Sequence, residues 1–352
     1  MPVHAWDLKK IGNLEYVTLH DVAEFYGLPT DFEFDDKTVF ISDGPKMMEL
    51  TLGSRQAYLN GARHWLAFPV KHRNGQALIS RADFSKVIEP AMRPEIIKAL
   101  QPVRKVVIDA GHGGKDNGAM GPYGREKDYT LDVALRLQEL LETDGIEVIM
   151  TRETDVFLEL HERAAIANAN PDAIFVSIHF NASENREAAG AEIFSLAPRG
   201  TPSDVDYFPI PKDPGVQKGT PVEDASYALS CAVHHSIIGN LAQFDRGIKR
   251  SRFAVLRLTR VPSVLVEGGF VSNVLEGRQI AQAAWRQKLA SSIYDGIAGY
   301  QRLAIEGQRP MLVTDYRRTR SNGVTLRDMT VESRSAAIPL PPPEMEQSAG
   351  DE

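Results

Sequence analysis

The stretch KVVIDAGHGG, at residues 105–114, decides the fold of this chain. Its apolar run passes directly into a glycine-rich turn, a helical pattern follows at 128–145, and a second apolar run, EVIMTR, occupies 147–152. The helical pattern carries its apolar residues on one stripe and ends at Gly145, a residue typical of helix C-caps. A strand, a helix and a second strand in this order indicate an α/β protein whose parallel strands are buried on both faces.

The same alternation continues to about residue 303. Four more apolar runs predict strands, and two long helical patterns cover 225–244 and 283–303. The six predicted strands are 105–110, 147–152, 173–180, 191–197, 253–258 and 263–269. We therefore expect an α/β sandwich with a largely parallel sheet, and a site at the carboxyl ends of its strands.

Three regions differ from this pattern. Residues 1–100 alternate short strands, turn signals and two helical stretches, which predicts a small α+β accessory domain ahead of a catalytic domain at 104–303. Residues 304–352 end in a proline-rich segment with no basic residue after Arg334, and we expect this tail to be mostly disordered. Within the catalytic domain, the proline- and glycine-rich insert 198–224 predicts a long loop.

Composition and charge restrict the classes of function. The 352 residues are 43% hydrophobic and 25% charged, which is ordinary for a globular protein and excludes a wholly disordered chain. A net charge of -7 and a pI near 5.8 argue against nucleic acid as a partner. No apolar run reaches the roughly 18 residues of a transmembrane helix, so no integral membrane segment is expected. The single cysteine, Cys231, excludes an internal disulfide and a cysteine-based zinc cluster, so a metal site here needs His, Asp and Glu.

Two histidines and two glutamates lie where the predicted strands end. His112 stands in the glycine-rich turn, Glu126 opens the next helix, and His179 and Glu267 close two further strands. Since the carboxyl ends of neighbouring parallel strands converge on one crevice, we expect the four side chains to meet. Catalytic zinc is held by three protein ligands with one position open, and a second carboxylate can take the proton of the attacking water. The sequence therefore predicts a one-zinc hydrolase site.

Ordered blocks of the chain resemble the zinc-dependent N-acetylmuramoyl-L-alanine amidases of bacterial cell walls, the amidase-3 type. The similarity covers roughly residues 104–300, and the blocks stand in the family's order. They are VVIDAGHGGKDNGA, REKD, VIMTRETDVFLELHERAAIANA, DAIFVSIHFNAS, DRGIKRSRFAVLR and PSVLVEGGFVSN. The resemblance implies a three-layer α/β/α sandwich around a mixed, mostly parallel sheet of six strands.

The resemblance also implies a role for each residue of the constellation. His112, Glu126 and His179 match the three ligands of one zinc ion, and Glu267 matches the catalytic glutamate. The implied reaction is hydrolysis of the amide bond between N-acetylmuramic acid and L-alanine in peptidoglycan, which removes stem peptides from glycan. Some members block their zinc with an inserted helix that an activator protein displaces. The prolines of 198–224 disfavour such a helix, so we expect a loop that shapes the substrate cleft and keep an activator as a candidate partner.

The first hundred residues are similar to the copper amine oxidase N-terminal-like domain found on some envelope enzymes. The blocks that carry this similarity are YVTLHDVAEFYGL, DDKTVFISDG, MELTLGSRQAYLNG and ISRADF. The histidines His20, His64 and His72 are scattered, so no copper site is expected, and we interpret the domain as an accessory for wall or partner binding. Because peptidoglycan lies outside the cytoplasmic membrane, we expect the cell envelope or periplasm, although the first residues, MPVHAWDLKK, lack the basic-then-apolar pattern of a secretory signal.

Further polar residues are candidates for orienting a ligand or contacting substrate. They are Asp109, Asn181 and Arg246. Asp109 can orient a ligand histidine or hydrogen-bond its own turn. Arg246, expected near the end of a long helix, can meet a substrate carboxylate. Arg152 and Arg163 can do the same, but a structural ion pair with Asp155 or Glu162 is at least as good an interpretation.

Two other functions stay open at this point. One is a different zinc hydrolase on a related sandwich, such as a carboxypeptidase or a peptidoglycan peptidase. The other is a wall-binding or regulatory protein without catalysis. The adjacent histidines His234 and His235 point about 100° apart on a helix, so they cannot chelate one ion, and we expect them at the surface or partly buried.

Overall fold

The computed structural model describes residues 6–32, 34–44, 46–97, 100–203, 220–307 and residue 313. The strands in these ranges are β1 (Lys9–Ile11), β2 (Leu14–Thr18), β3 (Thr38–Ser42), β4 (Met47–Thr51), β5 (Gln56–Leu59), β6 (Ala62–Trp65), β7 (Lys71–Arg73), β8 (Gln76–Ser80), β9 (Lys105–Ala110), β10 (Met120–Gly121), β11 (Gly124–Arg125), β12 (Glu147–Met150), β13 (Ala173–Asn181), β14 (Ala191–Leu196), β15 (Asp245–Ser251) and β16 (Ser263–Phe270). The helices are α1 (Leu19–Tyr26), α2 (Arg81–Asp83), α3 (Glu89–Met92), α4 (Glu126–Thr143), α5 (Leu160–Asn168), α6 (Glu223–Leu241), α7 (Ala254–Leu258), α8 (Val274–Ile280) and α9 (Ala283–Glu306).

A mixed sheet forms the centre of the molecule. Its strand order is β12-β9-β13-β16-β14-β15-β6-β5-β4-β3. Strands β12, β9, β13 and β16 are parallel to one another, and β14 runs antiparallel to β16. Helices α4, α6 and α9 pack on one face of this sheet, and α5 and α7 pack on the other. The predicted class, a three-layer α/β/α sandwich around a mostly parallel mixed sheet, is confirmed.

The continuous apolar runs of the sequence correspond to strands with two buried faces. In β9, Val106 and Ile108 pack with the helices of one face, whereas Val107 packs with Phe175 on the other face. Because both faces are covered, successive residues of the strand are apolar rather than alternating with polar ones. Such runs are therefore the parts of the sheet that sequence patterns identify best.

Two elements beside the site differ from the prediction. Residues 253–258 were expected to form a strand but contain helix α7, because a short apolar run does not distinguish a buried helix from a strand. Residues 245–251, DRGIKRS, were expected to end a helix but form strand β15, parallel to β14. This polar strand lies inside the sheet because its cations are paired there with a buried carboxylate.

The N-terminal module, defined as residues 1–100, extends the central sheet through β3–β6. Strand β6 pairs in parallel with β15 at His64 and Ile248, and the His64 Nδ1 atom lies 2.7 Å from the hydroxyl of Tyr227 on α6. A second, antiparallel sheet of order β1-β2-β8-β7 completes the module, with α1 against β8. The proposed boundary near residue 100 therefore separates two stretches of sequence that share one sheet.

The histidine pair of α6 lies at the junction between the module and the catalytic part. His234 is fully buried, with Nε2 2.7 Å from Asp245 Oδ1, and His235 is 6% exposed. The expectation of surface or partly buried positions was wrong, because the module covers this side of α6 and β15. Asp245 also accepts a hydrogen bond from the backbone N–H of Arg63, so one carboxylate joins the two parts.

Two predictions lie outside the described residues. Residues 204–219 of the insert and the tail from 308 onward, apart from residue 313, are not described. The expected substrate-shaping loop and the expected disordered tail therefore stay predictions. Of the helices that are described, none combines the length and apolar character needed to cross a membrane.

Candidate metal centre

The loop that follows β9 holds His112 in a strained conformation. His112 has φ +59°, in the left-handed region of backbone conformation that residues other than glycine rarely adopt. Two buried arginines hold the loop in place: Arg163 donates to the carbonyls of Ala110 (2.8 Å) and His112 (2.7 Å), and Arg152 donates to the carbonyls of Ala110 (2.9 Å) and Gly111 (2.8 Å). Both arginines were candidates for substrate binding, but their N–H groups are directed at the loop's backbone. Strain of this kind persists only where the surroundings hold it.

Three side chains from separate elements meet beneath this loop. His112 comes from the loop, Glu126 opens α4, and His179 lies near the end of β13. Glu126 Oε1 is 3.0 Å from His112 Nε2 and 3.0 Å from His179 Nδ1. One potential ligand atom from each residue lies within 4.8 Å of the others, so the set can hold a metal ion.

Two glycines make room for this close arrangement. A Cβ on Gly111 would lie 2.4 Å from Cε1 of His179. Gly118 has φ +62°, and a Cβ there would lie 2.5 Å from Cδ2 of His112 and 2.6 Å from Oε2 of Glu126. Glycine is therefore required at both positions by the approach of the backbone to the ligand side chains.

Hydrogen bonds to the three residues set their orientation and charge. His112 Nδ1 lies 2.8 Å from Asp116 Oδ2, which leaves Nε2 directed at Glu126. Burial acts to lower the pKa of His112, but the carboxylates of Glu126 and Asp116 raise it above its usual value. Burial acts to raise the pKa of Glu126, but hydrogen bonds from His112 and His179 hold it well below its usual range. Glu126 is therefore a carboxylate at neutral pH, as a metal ligand must be.

Asp109 does not orient a ligand histidine directly. Its fully buried carboxylate accepts hydrogen bonds from Thr151, Arg163 and Ser177, each at 2.8 Å. Asp116 has the orienting position instead, with Oδ2 2.8 Å from His112 Nδ1. Asp109 acts on His112 indirectly: it binds Arg163, and Arg163 donates to the backbone carbonyl of His112.

Glu267 lies in the second half of β16, beside the three residues. It is the register partner of His179 in the parallel pair of β13 and β16, and it lines the same cleft. Its Oε2 atom is buried without a hydrogen-bond partner in the described part of the chain. Burial, together with the negative charges of Glu126 and Glu192, raises the pKa of Glu267 well above its ordinary value. A carboxylate with a raised pKa is suited to accept a proton and return it.

A second buried glutamate, missed by the sequence reasoning, lies opposite Glu267. Glu192 on β14 is 3% exposed and is the register partner of Glu267. It accepts hydrogen bonds from Asn181 Nδ2 (2.5 Å), Arg246 Nε (3.0 Å) and Lys249 Nζ (2.6 Å). Arg246 and Asn181 are thus held beside the site by one carboxylate. The signal that could have identified it is a charged residue within the apolar run AEIFSLA.

A cleft of about 570 Å³ opens over these groups. The three candidate ligands, Glu267 and Asn181 contribute its polar wall. Its apolar wall comes from the segment before α5 and from α7, at Phe157, Leu158, Leu160, Phe253 and Val255. The cleft can therefore hold an extended substrate with one polar bond next to the charged groups.

The chain is similar to known amidases. Residues 106–299 match the family model described as N-acetylmuramoyl-L-alanine amidase. The amidase AmiC of Escherichia coli (strain CFT073) is 34% identical over 246 residues, which are 63% of this chain and 59% of that protein. AmiA of Escherichia coli K12 is 32% identical over 224 residues, which are 56% of this chain and 76% of that protein. The chain thus spans less than two thirds of the length of AmiC.

Two solved structures of similar sequence are also N-acetylmuramoyl-L-alanine amidases. AmiC2 of Nostoc punctiforme is 33% identical, with a TM-score of 0.47, over 56% of this chain and 97% of that one. The catalytic domain of CwlV from Paenibacillus polymyxa is 33% identical, with a TM-score of 0.47, over 56% of this chain and 98% of that one.

Proposed function

Because the chain belongs to the N-acetylmuramoyl-L-alanine amidase family, we propose that it hydrolyses the amide bond between N-acetylmuramic acid and L-alanine in peptidoglycan. The single observation that carries this proposal is Glu126 Oε1 within 3.0 Å of both ligand histidines, with the orphaned carboxylate of Glu267 in the same cleft. The set contains three ligands, two imidazoles and one carboxylate, of types that zinc accepts, and one further carboxylate for proton transfer.

The residues fit one zinc ion, held by His112, Glu126 and His179. The donor set of two imidazoles and one carboxylate is typical of catalytic zinc, and the glycines at 111 and 118 leave the ligands the space they need. Zinc bound there supplies Lewis acidity toward a water molecule and toward the scissile carbonyl. Asp116 contacts Nδ1 of His112, so Nε2 is the nitrogen of this ring that would bind the zinc ion.

Glu267 acts first as the general base and then as the general acid of the reaction. Its raised pKa makes it a stronger base than an ordinary glutamate toward the attacking water, and the acid that forms can return the proton. The proton goes to the nitrogen of L-alanine as the amide bond breaks, which releases the stem peptide with a free amino terminus.

A product assay on purified sacculi tests this proposal. We expect the zinc-loaded protein to release stem peptides that begin with L-alanine and to leave glycan strands with free lactyl carboxyl groups, as measured by mass spectrometry. Release of single amino acids or of shortened peptides would support a peptidase instead. Binding to sacculi without any release would support a non-catalytic wall protein.

The substrate determines where the protein must act. Peptidoglycan is a polymer outside the cytoplasmic membrane, so we place the activity in the cell envelope. Detection of the native protein in the envelope fraction is the expected result, and recovery from the cytosol alone would contradict this placement.

A further inference from the structure

The N-terminal module contacts β15, the strand that carries Arg246 and Lys249 beside the candidate site. Trp65, at the end of β6, donates its indole N–H to the carbonyl of Arg246 at 2.8 Å. Its ring centre lies 5.9 Å from the ammonium of Lys249. Gly247 packs against the same ring, since a Cβ there would lie 3.0 Å from Cδ1 of Trp65. The indole therefore supports β15 on the side away from the catalytic strands.

Glu192 connects these cations to the catalytic strands. Its carboxylate accepts hydrogen bonds from Arg246 and Lys249 on one side and from Asn181 on the other. At 3% exposure, such a carboxylate depends on its cations, because a buried charge that loses its partner is strongly destabilising. Since β14 and β16 are antiparallel neighbours, Glu192 is also fixed opposite Glu267.

Asn181 completes the connection to the metal ligands. It closes β13 two residues after His179, and the register against β16 shifts between these two residues. Its Oδ1 atom accepts the backbone N–H of Ala182 at 2.9 Å, and both residues line the cleft. An irregularity of this type re-aims the side chains beside it, so the contact that fixes Asn181 also fixes the strand end that carries His179.

We propose that Glu192 is a positioning residue of the amidase site and that Trp65 acts through it, which makes the N-terminal module a structural part of the catalytic unit. The contacts run from Trp65 to Arg246 and Lys249, from these cations to Glu192, and from Glu192 to Asn181 next to His179. This inference goes beyond the wall- or partner-binding role expected of the module. Its kinetic part rests on the proposed amidase function.

Hydrogen–deuterium exchange in the full chain tests the contacts without using activity. We expect Trp65→Phe, which removes the indole N–H, and Trp65→Ala to speed amide exchange in peptides that cover 179–183, where Ala182 donates to Asn181. The matched control is Trp6→Phe, since Trp6 packs at a tilt against Phe25 and Phe84 elsewhere in the module. Unchanged exchange at 179–183 in both Trp65 variants, or an equal increase in the control, would overturn the proposal.

A double-mutant cycle gives the second reading. We expect Trp65→Phe and Glu192→Gln each to lower kcat/KM, Glu192→Gln by about tenfold, with the double variant no slower than Glu192→Gln alone. Combining Trp6→Phe with Glu192→Gln should instead multiply the two effects. Multiplied effects in the Trp65 pair would overturn the proposal. A wild-type protein that releases no stem peptide would refute the amidase function, and the exchange measurement would still decide the role of Trp65.

Discussion

Replacing Asp116 with alanine should weaken zinc binding without removing a ligand. Asp116 Oδ2 contacts His112 Nδ1 at 2.8 Å, and its Oδ1 accepts the N–H of Gly118 at 2.9 Å. Partners of this kind typically contribute about 10- to 100-fold in metal affinity. Because the Asp116 side chain is 44% exposed, solvent screens its charge, and we expect the lower end, about tenfold or ~1.4 kcal/mol. Loss of Asp116 also lowers the pKa of His112, which makes the imidazole a weaker donor.

Competition with a chromophoric chelator, with both proteins at the same pH, measures this change. The matched control is Asp155→Ala: Asp155 accepts hydrogen bonds from Gly114 (2.7 Å) and Lys127 (2.8 Å) and so braces the same loop at a different point. We expect the control to bind zinc like the wild type. Equal affinity in Asp116→Ala and wild type, or equal weakening in the two variants, would refute the reasoning.

Three further predictions concern the base and the backbone. Glu267→Gln should keep its zinc and lose about 10²- to 10⁴-fold in turnover, as measured by metal analysis and product release, and full activity would contradict the assignment of the base. As the pH falls, kcat/KM should decline with an apparent pKa above the ordinary glutamate value of 4.5, because Glu267 must be ionised to act and burial beside two carboxylates raises its pKa. A decline at the ordinary value would count against this base. Gly118→Ala should lower both the melting temperature and the zinc affinity, since its Cβ meets His112, whereas Gly145→Ala, also at positive φ but in open space, should cost about 1 kcal/mol of stability alone.

The sequence identified the parts of the fold that follow from burial on both faces. Strands such as 105–110 and 263–269 read as continuous apolar runs, and the helices between them carry apolar stripes, so the sandwich could be predicted. Strand 245–251 could not, because its polar residues are satisfied by Glu192 and by the N-terminal module, both distant in sequence. The apolar run 253–258 has no feature that separates a strand from a short buried helix.

In the candidate site too, local sequence patterns predicted some features, whereas others depend on residues that are distant in the sequence. His112, Glu126, His179 and Glu267 each stand at the end or start of an element, so the convergence of parallel strands was enough to bring them together. Their supporting partners depend on side-chain direction, which spacing does not reveal. Asp109 was therefore expected beside a histidine, although its buried carboxylate contacts Thr151, Ser177 and an arginine instead.

The residues that contact the loop of His112 explain how the protein can hold its candidate metal ligands close together without a bound metal ion. Two carboxylates among the candidate site residues, at 126 and 267, repel each other, and the second has a raised pKa as a result of this and of burial. The left-handed backbone at His112 adds strain. Arg152 and Arg163 counter the strain, because their buried guanidinium groups donate to the carbonyls of the loop that carries His112. Replacing Arg163 with methionine should thus lower the melting temperature and zinc affinity together, whereas a variant that lost stability alone would separate the strained loop from the metal site.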